Sequence, residues 1–69
     1  METNYKVWFD TENVYLKTNN DKIGYLPLKD YKPLFNASKE ERNDFKFSPF
    51  GIHWEKLDED LYFNGFIWK

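Results

Sequence analysis

Residues 5–28, YKVWFDTENVYLKTNNDKIGYLPL, decide the fold because strand-forming runs alternate in them with turn-forming runs. The run at 5–9 is rich in aromatic and β-branched residues. In the run at 14–18 the side chains alternate between two faces, as in a half-buried strand. A third run occupies 23–28, where Pro27 fits only an edge or the end of a strand. The Asn- and Asp-rich segments between the runs are typical of tight turns. This pattern predicts a three-stranded antiparallel meander.

The segment that follows the meander favours short helices. Pro33 suits the first turn of a short helix, because its fixed φ and missing N–H are tolerated there. Ser38 and Glu41 have the spacing of a capping box, in which each side chain bonds the other's backbone N–H. The helix that this box starts is expected to end near Asn43.

The last third of the chain predicts a second hairpin. Segments 45–47 and 52–54 are apolar runs on either side of a Ser-Pro-Phe-Gly turn. Asp58 is expected to cap a brief turn over 59–61, and the final residues to form a strand or turn. The predicted class is therefore α+β: a small antiparallel sheet, made of the meander plus a second hairpin, with one or two short helices.

Length and composition limit the chain to one small domain, residues 1–69, with a heavy load of aromatic side chains. It contains three Trp, five Tyr and seven Phe among 69 residues, and no Cys. Aromatic residues are enriched both in strands and at protein interfaces. A core of this size cannot enclose all of them, so several are expected on the surface. The missing cysteines exclude disulfides and favour a reducing compartment.

The charge balance argues against direct nucleic-acid and membrane partners. The net charge is −2, whereas non-specific nucleic-acid binding depends on Lys and Arg. Lysines do interleave with aromatics in 5–9 and 45–47, as in single-strand platforms, but no RRM signature is present. No apolar run approaches the ~18 residues of a membrane span. A soluble, cytoplasmic protein is expected.

Residues 51–65, GIHWEKLDEDLYFNG, hold the only histidine and a run of three acids, and they raise the question of a ligand site. One His without Cys is poor material for zinc, and the acids lack the spacing of a calcium loop. Neither Ser38 nor Ser48 lies in a nucleophile elbow. We therefore expect no metal, no cofactor and no enzymatic activity.

Strand alternation separates His53 from its neighbours in this segment. Ile52 and Trp54 are expected to face the core together, with His53 on the opposite face. An Arg–carboxylate bridge is expected from Arg42 to one acid of the 58–60 run, since Arg pairs well with carboxylates. The remaining acids would then face solvent or a partner.

The second half of the chain also resembles a known family. Residues 33–61, PLFNASKEERNDFKFSPFGIHWEKLDEDL, are similar in order and spacing to the signature of the small bacterial DUF2442 family. The resemblance covers residues 5–68 and implies an α+β fold. It also implies pairing with a second small family, DUF4160, in what resembles a toxin–antitoxin module, with the DUF2442 member as the antitoxin.

The function expected from these observations is a non-catalytic protein-binding module, antitoxin-like or inhibitor-like, that neutralises a partner by direct contact. The partner would be a DUF4160-like toxin or a nuclease. Alternatives are a transcription-linked or nucleic-acid-associated accessory domain, and a phage-encoded inhibitor of a host nuclease; a homodimer through surface aromatics stays open. The expected contact residues are Trp54, Asp58, Glu59, Asp60, Tyr62 and Trp68.

Overall fold

The computed structural model describes residues 5–68, so both ends of the predicted 1–69 domain lie outside the described residues. Over this range the chain is α+β, with two antiparallel sheets and two short α-helices, and the predicted fold class is confirmed. The first sheet contains four strands in the order β1-β2-β3-β7. The second contains three in the order β4-β5-β6.

The predicted meander forms the larger part of the first sheet. Its strands are β1 (Lys6–Phe9), β2 (Asn13–Lys17) and β3 (Ile23–Pro27), each antiparallel to its neighbour. Pro27 is the last residue of β3, where its missing N–H costs no ladder bond. Val14 and Leu16 are completely buried and the residues that alternate with them are not, which is the pattern of a sheet with one face on the core.

The second sheet contains the predicted hairpin and one strand that the sequence did not predict. Its members are β4 (Lys46–Phe47), β5 (Gly51–Trp54) and β6 (Glu59–Tyr62). The expected turn over 59–61 is wrong, because these residues belong to β6. Asp58 takes the left-handed conformation, with φ of 51°, and its N–H donates to the Glu55 carbonyl at 3.2 Å. It closes a tight turn that leads directly into the strand.

Both predicted helices are present. α1 (Lys32–Phe35) carries Pro33 in its first turn, and α2 (Lys39–Asn43) begins after Ser38. The capping box is confirmed: the Glu41 N–H donates to the Ser38 hydroxyl at 3.1 Å, and the Ser38 N–H donates to the Glu41 carboxylate at 2.9 Å. These two bonds satisfy backbone donors that the helix itself cannot pair.

The described chain ends by returning to the first sheet. A 3-10 helix at Phe63–Gly65 precedes β7 (Ile67–Trp68), which pairs with β3. Gly24 of β3 makes this pairing feasible, because a Cβ there would lie 2.9 Å from the Trp68 ring.

One buried cluster joins the two sheets. Trp54 is fully buried within it. Its ring packs edge-to-face on the Phe9 ring of the first sheet, with the ring centroids 6.3 Å apart. The indole N–H donates to the Arg42 carbonyl at 2.8 Å, which attaches α2 to the same side chain. The buried members are Val14, Leu16, Leu26, Leu28, Leu34, Ile52, Trp54, Leu61 and Phe66.

Candidate functional site

The hairpin of β5 and β6 holds the histidine and the acidic run that the sequence singled out. Ile52 and Leu61 lie opposite each other and are buried, whereas His53 and Asp60 form the next pair and point to the outer face. His53 Nδ1 lies 2.6 Å from Asp60 Oδ1. The predicted separation of His53 from Ile52 and Trp54 is therefore confirmed, and Asp60 is the residue that holds its ring.

A row of ionisable groups crosses this outer face. Lys46 of β4 is the other cross-strand neighbour of His53, so Lys46, His53 and Asp60 lie side by side. Tyr62 follows two residues after Asp60, and its side chain is 60% exposed. Within residues 5–68 no group of three or more His, Asp or Glu side chains is placed to hold a metal ion.

The three consecutive acids have three different environments. Asp58 is exposed in the turn before β6, and Asp60 pairs with His53. Glu59 is half-buried and lies opposite Trp54. Burial raises the pKa of the Glu59 carboxyl, and the charges of Asp60 and Asp58 raise it further. Asp58 and Asp60 are thus the acids that a partner could reach most directly.

The expected bridge from Arg42 to this acidic run is wrong. The Arg42 Nε donates to the Leu34 carbonyl and Nη2 to the Phe35 carbonyl, each at 3.0 Å. Its guanidinium also lies 5.3 Å from the centre of the Phe9 ring. The physical reason is that α2 packs beside the end of α1, whose last carbonyls lack partners within their own helix. A guanidinium satisfies two of them at once.

Two of the expected contact residues have internal roles. Trp54 is completely buried, so its expected place in a contact surface is wrong: its large ring fills the core and its indole N–H is bonded there. Trp68 is 37% exposed, donates its indole N–H to the Phe63 carbonyl at 3.2 Å and lies in the other sheet. The remaining four, Asp58 to Asp60 and Tyr62, lie together on β6 and the turn before it.

The outer face of the first sheet carries a surface that the sequence did not predict. Trp8, Tyr15, Tyr25 and Ile67 lie directly opposite one another across all four strands. We call these four residues the aromatic face. Trp8 is 39% exposed and Ile67 is 50% exposed. The period of two in β1 and β2 is the signal that could have revealed it, because Trp8 and Tyr15 alternate with inward side chains.

Ring stacking and hydrogen bonds hold two members of this face, Trp8 and Tyr15, in place. The rings of Trp8 and Tyr15 stack with centroids 5.4 Å apart and planes 12° from parallel. The Tyr15 hydroxyl donates to Asp10 Oδ2 at 2.5 Å, and Asp10 Oδ1 accepts the backbone N–H groups of Glu12 and Asn13. Two long side chains, Lys6 and Lys17, form the adjacent cross-strand pair on the same face.

These hydrogen bonds shift the pKa values of both Asp10 and Tyr15. The Tyr15 hydroxyl is the main cause of a lowered pKa at the Asp10 carboxyl, and the two backbone N–H groups add to it. The hydrogen bond to Asp10 is likewise the main cause of a raised pKa at the Tyr15 hydroxyl. At neutral pH the pair is therefore a carboxylate that accepts from a neutral phenol, which fixes the Tyr15 ring.

Comparison with known proteins gives one match. A family model described as "Protein of unknown function (DUF2442)" matches residues 5–67. No curated protein and no solved structure matches the chain. In the described part, neither α-helix has the length and apolar character needed to cross a membrane.

Proposed function

The chain belongs to the DUF2442 family, whose function is unknown, and on that premise we propose that it is a non-catalytic protein-binding module. In this proposal it neutralises its partner, a toxin or a nuclease, by direct contact, as an antitoxin or inhibitor does. Its location is the cytoplasm, in keeping with a sequence that has no cysteine.

The aromatic face is the observation that carries the proposal. Trp and Tyr dominate the binding energy of protein interfaces, since they bury large areas with few rotatable bonds. Trp8 and Tyr15 are held by their mutual stacking and by the bond to Asp10 before any partner arrives. Binding would therefore cost little side-chain entropy, which favours affinity.

The charged groups of the second sheet support the same proposal in a different way. Asp58 and Asp60 are exposed on a molecule with a net charge of −2. Exposed acids change the rate and selectivity of association more than the final affinity. We assign them the steering of a basic partner, while the apolar anchors of the aromatic face keep it bound and cover its functional surface.

Affinity purification from the organism of origin tests the contact. The tagged protein and a Trp8→Ala variant are each incubated with extract, and bound proteins are identified by mass spectrometry. Phe50→Ala is the matched control, because Phe50 is 72% exposed but lies beside the second sheet. One protein should bind to the parent and to Phe50→Ala but not to Trp8→Ala. Equal capture by all three would refute the role of the aromatic face.

The inhibitory part of the proposal needs a separate measurement. The captured partner is purified and its activity is followed while the parent or Trp8→Ala is added. Activity should fall to zero near one equivalent of the parent and persist with the variant. A partner that stays fully active when saturated would leave a binding module without the inhibitory function.

One observation favours a second candidate, the binding of single-stranded nucleic acid. Lys6 and Lys17 border the aromatic face, and aromatic side chains beside cations are the elements of single-strand platforms. Against this candidate, Trp8 and Tyr15 stack on each other, and the whole chain is acidic. Fluorescence anisotropy with labelled oligonucleotides distinguishes the two: salt-dependent binding abolished by Trp8→Ala would replace the protein partner by a nucleic acid.

A further inference from the structure

Strand β1 leaves one edge of the first sheet open. Within residues 5–68 it pairs with β2 alone. The Asp10 N–H donates to the Asn13 carbonyl at 3.0 Å, and this bond determines which residues of β1 are hydrogen-bonded to β2. Because antiparallel strands bond through alternate residues, Trp8 and Lys6 bond to β2, whereas the backbone groups of Val7 and Phe9 point to the open edge.

Helix α2 lies alongside this edge and turns it into a cleft. The cleft has a volume of about 640 Å³ and is lined by residues 7–11 on one side and by Lys39, Arg42 and Asn43 on the other. Arg42 forms a fixed part of the wall, because its guanidinium is bonded to two carbonyls of α1 and rests on the Phe9 ring. Unpaired strand donors and acceptors thus face a space bounded by a helix.

The charge of the cleft is opposite to that of the whole molecule. Lys39 is exposed and forms no ion pair with any described residue, and the partners of Arg42 are neutral carbonyls. Among the lining residues in 5–68 Asp10 is the only acid, and its carboxylate is engaged by Tyr15 and two backbone N–H groups. Two cations without carboxylate partners therefore line the space beside the strand edge.

We propose that this cleft binds an extended, acidic segment of a partner protein, which adds to the first sheet as a further strand beside β1. Main-chain bonds to Val7 and Phe9 would hold the segment, and its carboxylates would pair with Lys39 and Arg42. The inference rests on the proposed protein-binding function and adds the chemistry of one segment of the partner, an acidic strand on a protein whose surface is otherwise basic. A second copy of this chain fits less well, since its own β1 would bring Lys6 rather than carboxylates.

A display library of random linear peptides is the probe. Selection on the intact protein should enrich peptides that carry Asp and Glu among β-branched residues. Lys39→Glu should then weaken binding of a selected synthetic peptide by about tenfold or more, as expected for loss and reversal of one ion pair. Lys29→Glu is the matched control: it makes the same charge change at a residue outside the cleft and should bind like the parent.

A second variant tests the strand geometry. Val7→Pro removes the N–H that points to the open edge but no bond to β2, so proline is tolerated there. Val7→Pro should weaken binding of the same peptide by about tenfold. Neither variant should unfold the protein, because a glutamate at position 39 lies in the first turn of α2, where the helix dipole favours it. Circular dichroism verifies that both remain folded.

Three results would overturn the inference: no peptide is selected, the selected peptides lack acidic enrichment, or they bind both variants like the parent. A dimer in light scattering that Val7→Pro dissociates would instead assign the edge to a second copy. If the peptide experiments show no binding at the cleft but Trp8-dependent capture from extract persists, the proposed function is retained and this site is rejected. If extract yields no partner while peptides bind as described, the cleft is retained as a peptide-binding site and the proposed inhibitory function is rejected.

Discussion

Gly51 of β5 lies so close to β6 that no side chain fits between the two strands. It lies opposite Tyr62, and a Cβ built on it would collide with the Leu61 carbonyl and lie 2.9 Å from the Tyr62 Cα. Both are backbone atoms, which cannot move without distorting β6. Gly51→Ala should therefore lower the free energy of unfolding by about 1–3 kcal/mol, the usual range for overpacking.

Gly65 provides the matched control for this prediction, measured by urea unfolding. A Cβ built there meets no atom of another described part of the chain within 4 Å. Gly65→Ala should leave stability unchanged or raise it by up to about 1 kcal/mol through the unfolded state. If the two variants unfold at the same urea concentration, the close approach at Gly51 is not what the glycine is needed for.

The Asp10–Tyr15 pair makes a prediction about pH. A lowered carboxyl pKa means that the pair stabilises the fold at neutral pH, and that this contribution is lost as the pH falls through the folded-state pKa of Asp10. The raised pKa of Tyr15 means a second loss as the pH rises through its own folded-state value, above the usual phenol range.

Tyr15→Phe should raise the Asp10 pKa towards its usual value, since the largest cause of the shift is removed while the ring and its stacking remain. Carbon-detected NMR titration of the Asp10 carboxyl measures this directly. Tyr62→Phe is the control, because Tyr62 lies in the other sheet, and should leave the titration as it is. An unchanged Asp10 pKa in Tyr15→Phe would mean that the hydroxyl does not hold the carboxylate in solution.

At this scale the sequence predicted side-chain direction better than side-chain partners. Alternation correctly separated His53 from Ile52 and Trp54, because that depends only on the period of a strand. The partner of Arg42 was wrong, because the carbonyls it binds become neighbours only when α1 and α2 pack. The charge of a side chain indicates what it can bind, but the fold decides which candidate is within reach.

Among the elements, helix α2 depends most on its cap. It has five residues, and helices of this length are not stable without tertiary contacts or capping. Ser38→Ala removes the hydroxyl that accepts the Glu41 N–H, and should cost about 1 kcal/mol of unfolding free energy.

Ser48→Ala is a comparison variant in a different setting, since its hydroxyl accepts the N–H groups of Phe50 and Gly51 in the β4–β5 turn. Amide hydrogen exchange resolves the two changes by position. Ser38→Ala should accelerate exchange across residues 39–43, and Ser48→Ala around the turn. Exchange that is faster throughout the chain in Ser38→Ala would show that the cap stabilises the whole molecule and not the helix alone.

Elements with local signals were predicted and those without were not. The capping box and the meander depend on residues a few positions apart, and both appear as predicted. Strand β6 was missed because Asp58 is equally suited to begin a helical turn and to adopt a positive φ. The final residues were expected to form a strand or turn, and β7 is that strand; its pairing with β3 was not predicted, because it depends on the folded meander.

For the whole molecule, Trp54 is the side chain that connects the parts. It contacts Phe9 in the first sheet and Phe45 before the second, and it bonds the last turn of α2. Trp54→Phe would leave the Arg42 carbonyl without its donor and a gap beside the ring. We expect a loss of about 2–4 kcal/mol of unfolding free energy from the two effects.

That loss is a large share of the roughly 3–10 kcal/mol expected for a chain of this length. Urea unfolding followed by circular dichroism measures it without relying on tryptophan fluorescence. Trp8→Phe is the control, since an exposed ring that keeps its stacking on Tyr15 should change stability by less than about 0.5 kcal/mol. Equal losses of unfolding free energy in the two variants would show that Trp54 does not connect the two sheets and α2.

The pairing of β7 with β3 also has a consequence for the time course of folding. Short turns link β1 to β2 and β2 to β3, so the meander closes small loops and is fast to form. Ile67 reaches Tyr25 only across both helices and the entire second sheet, so loop-closure entropy delays this step until the intervening chain has packed. Until then β3 has a bare flank, and a nascent chain is most open to association with its neighbours during that interval.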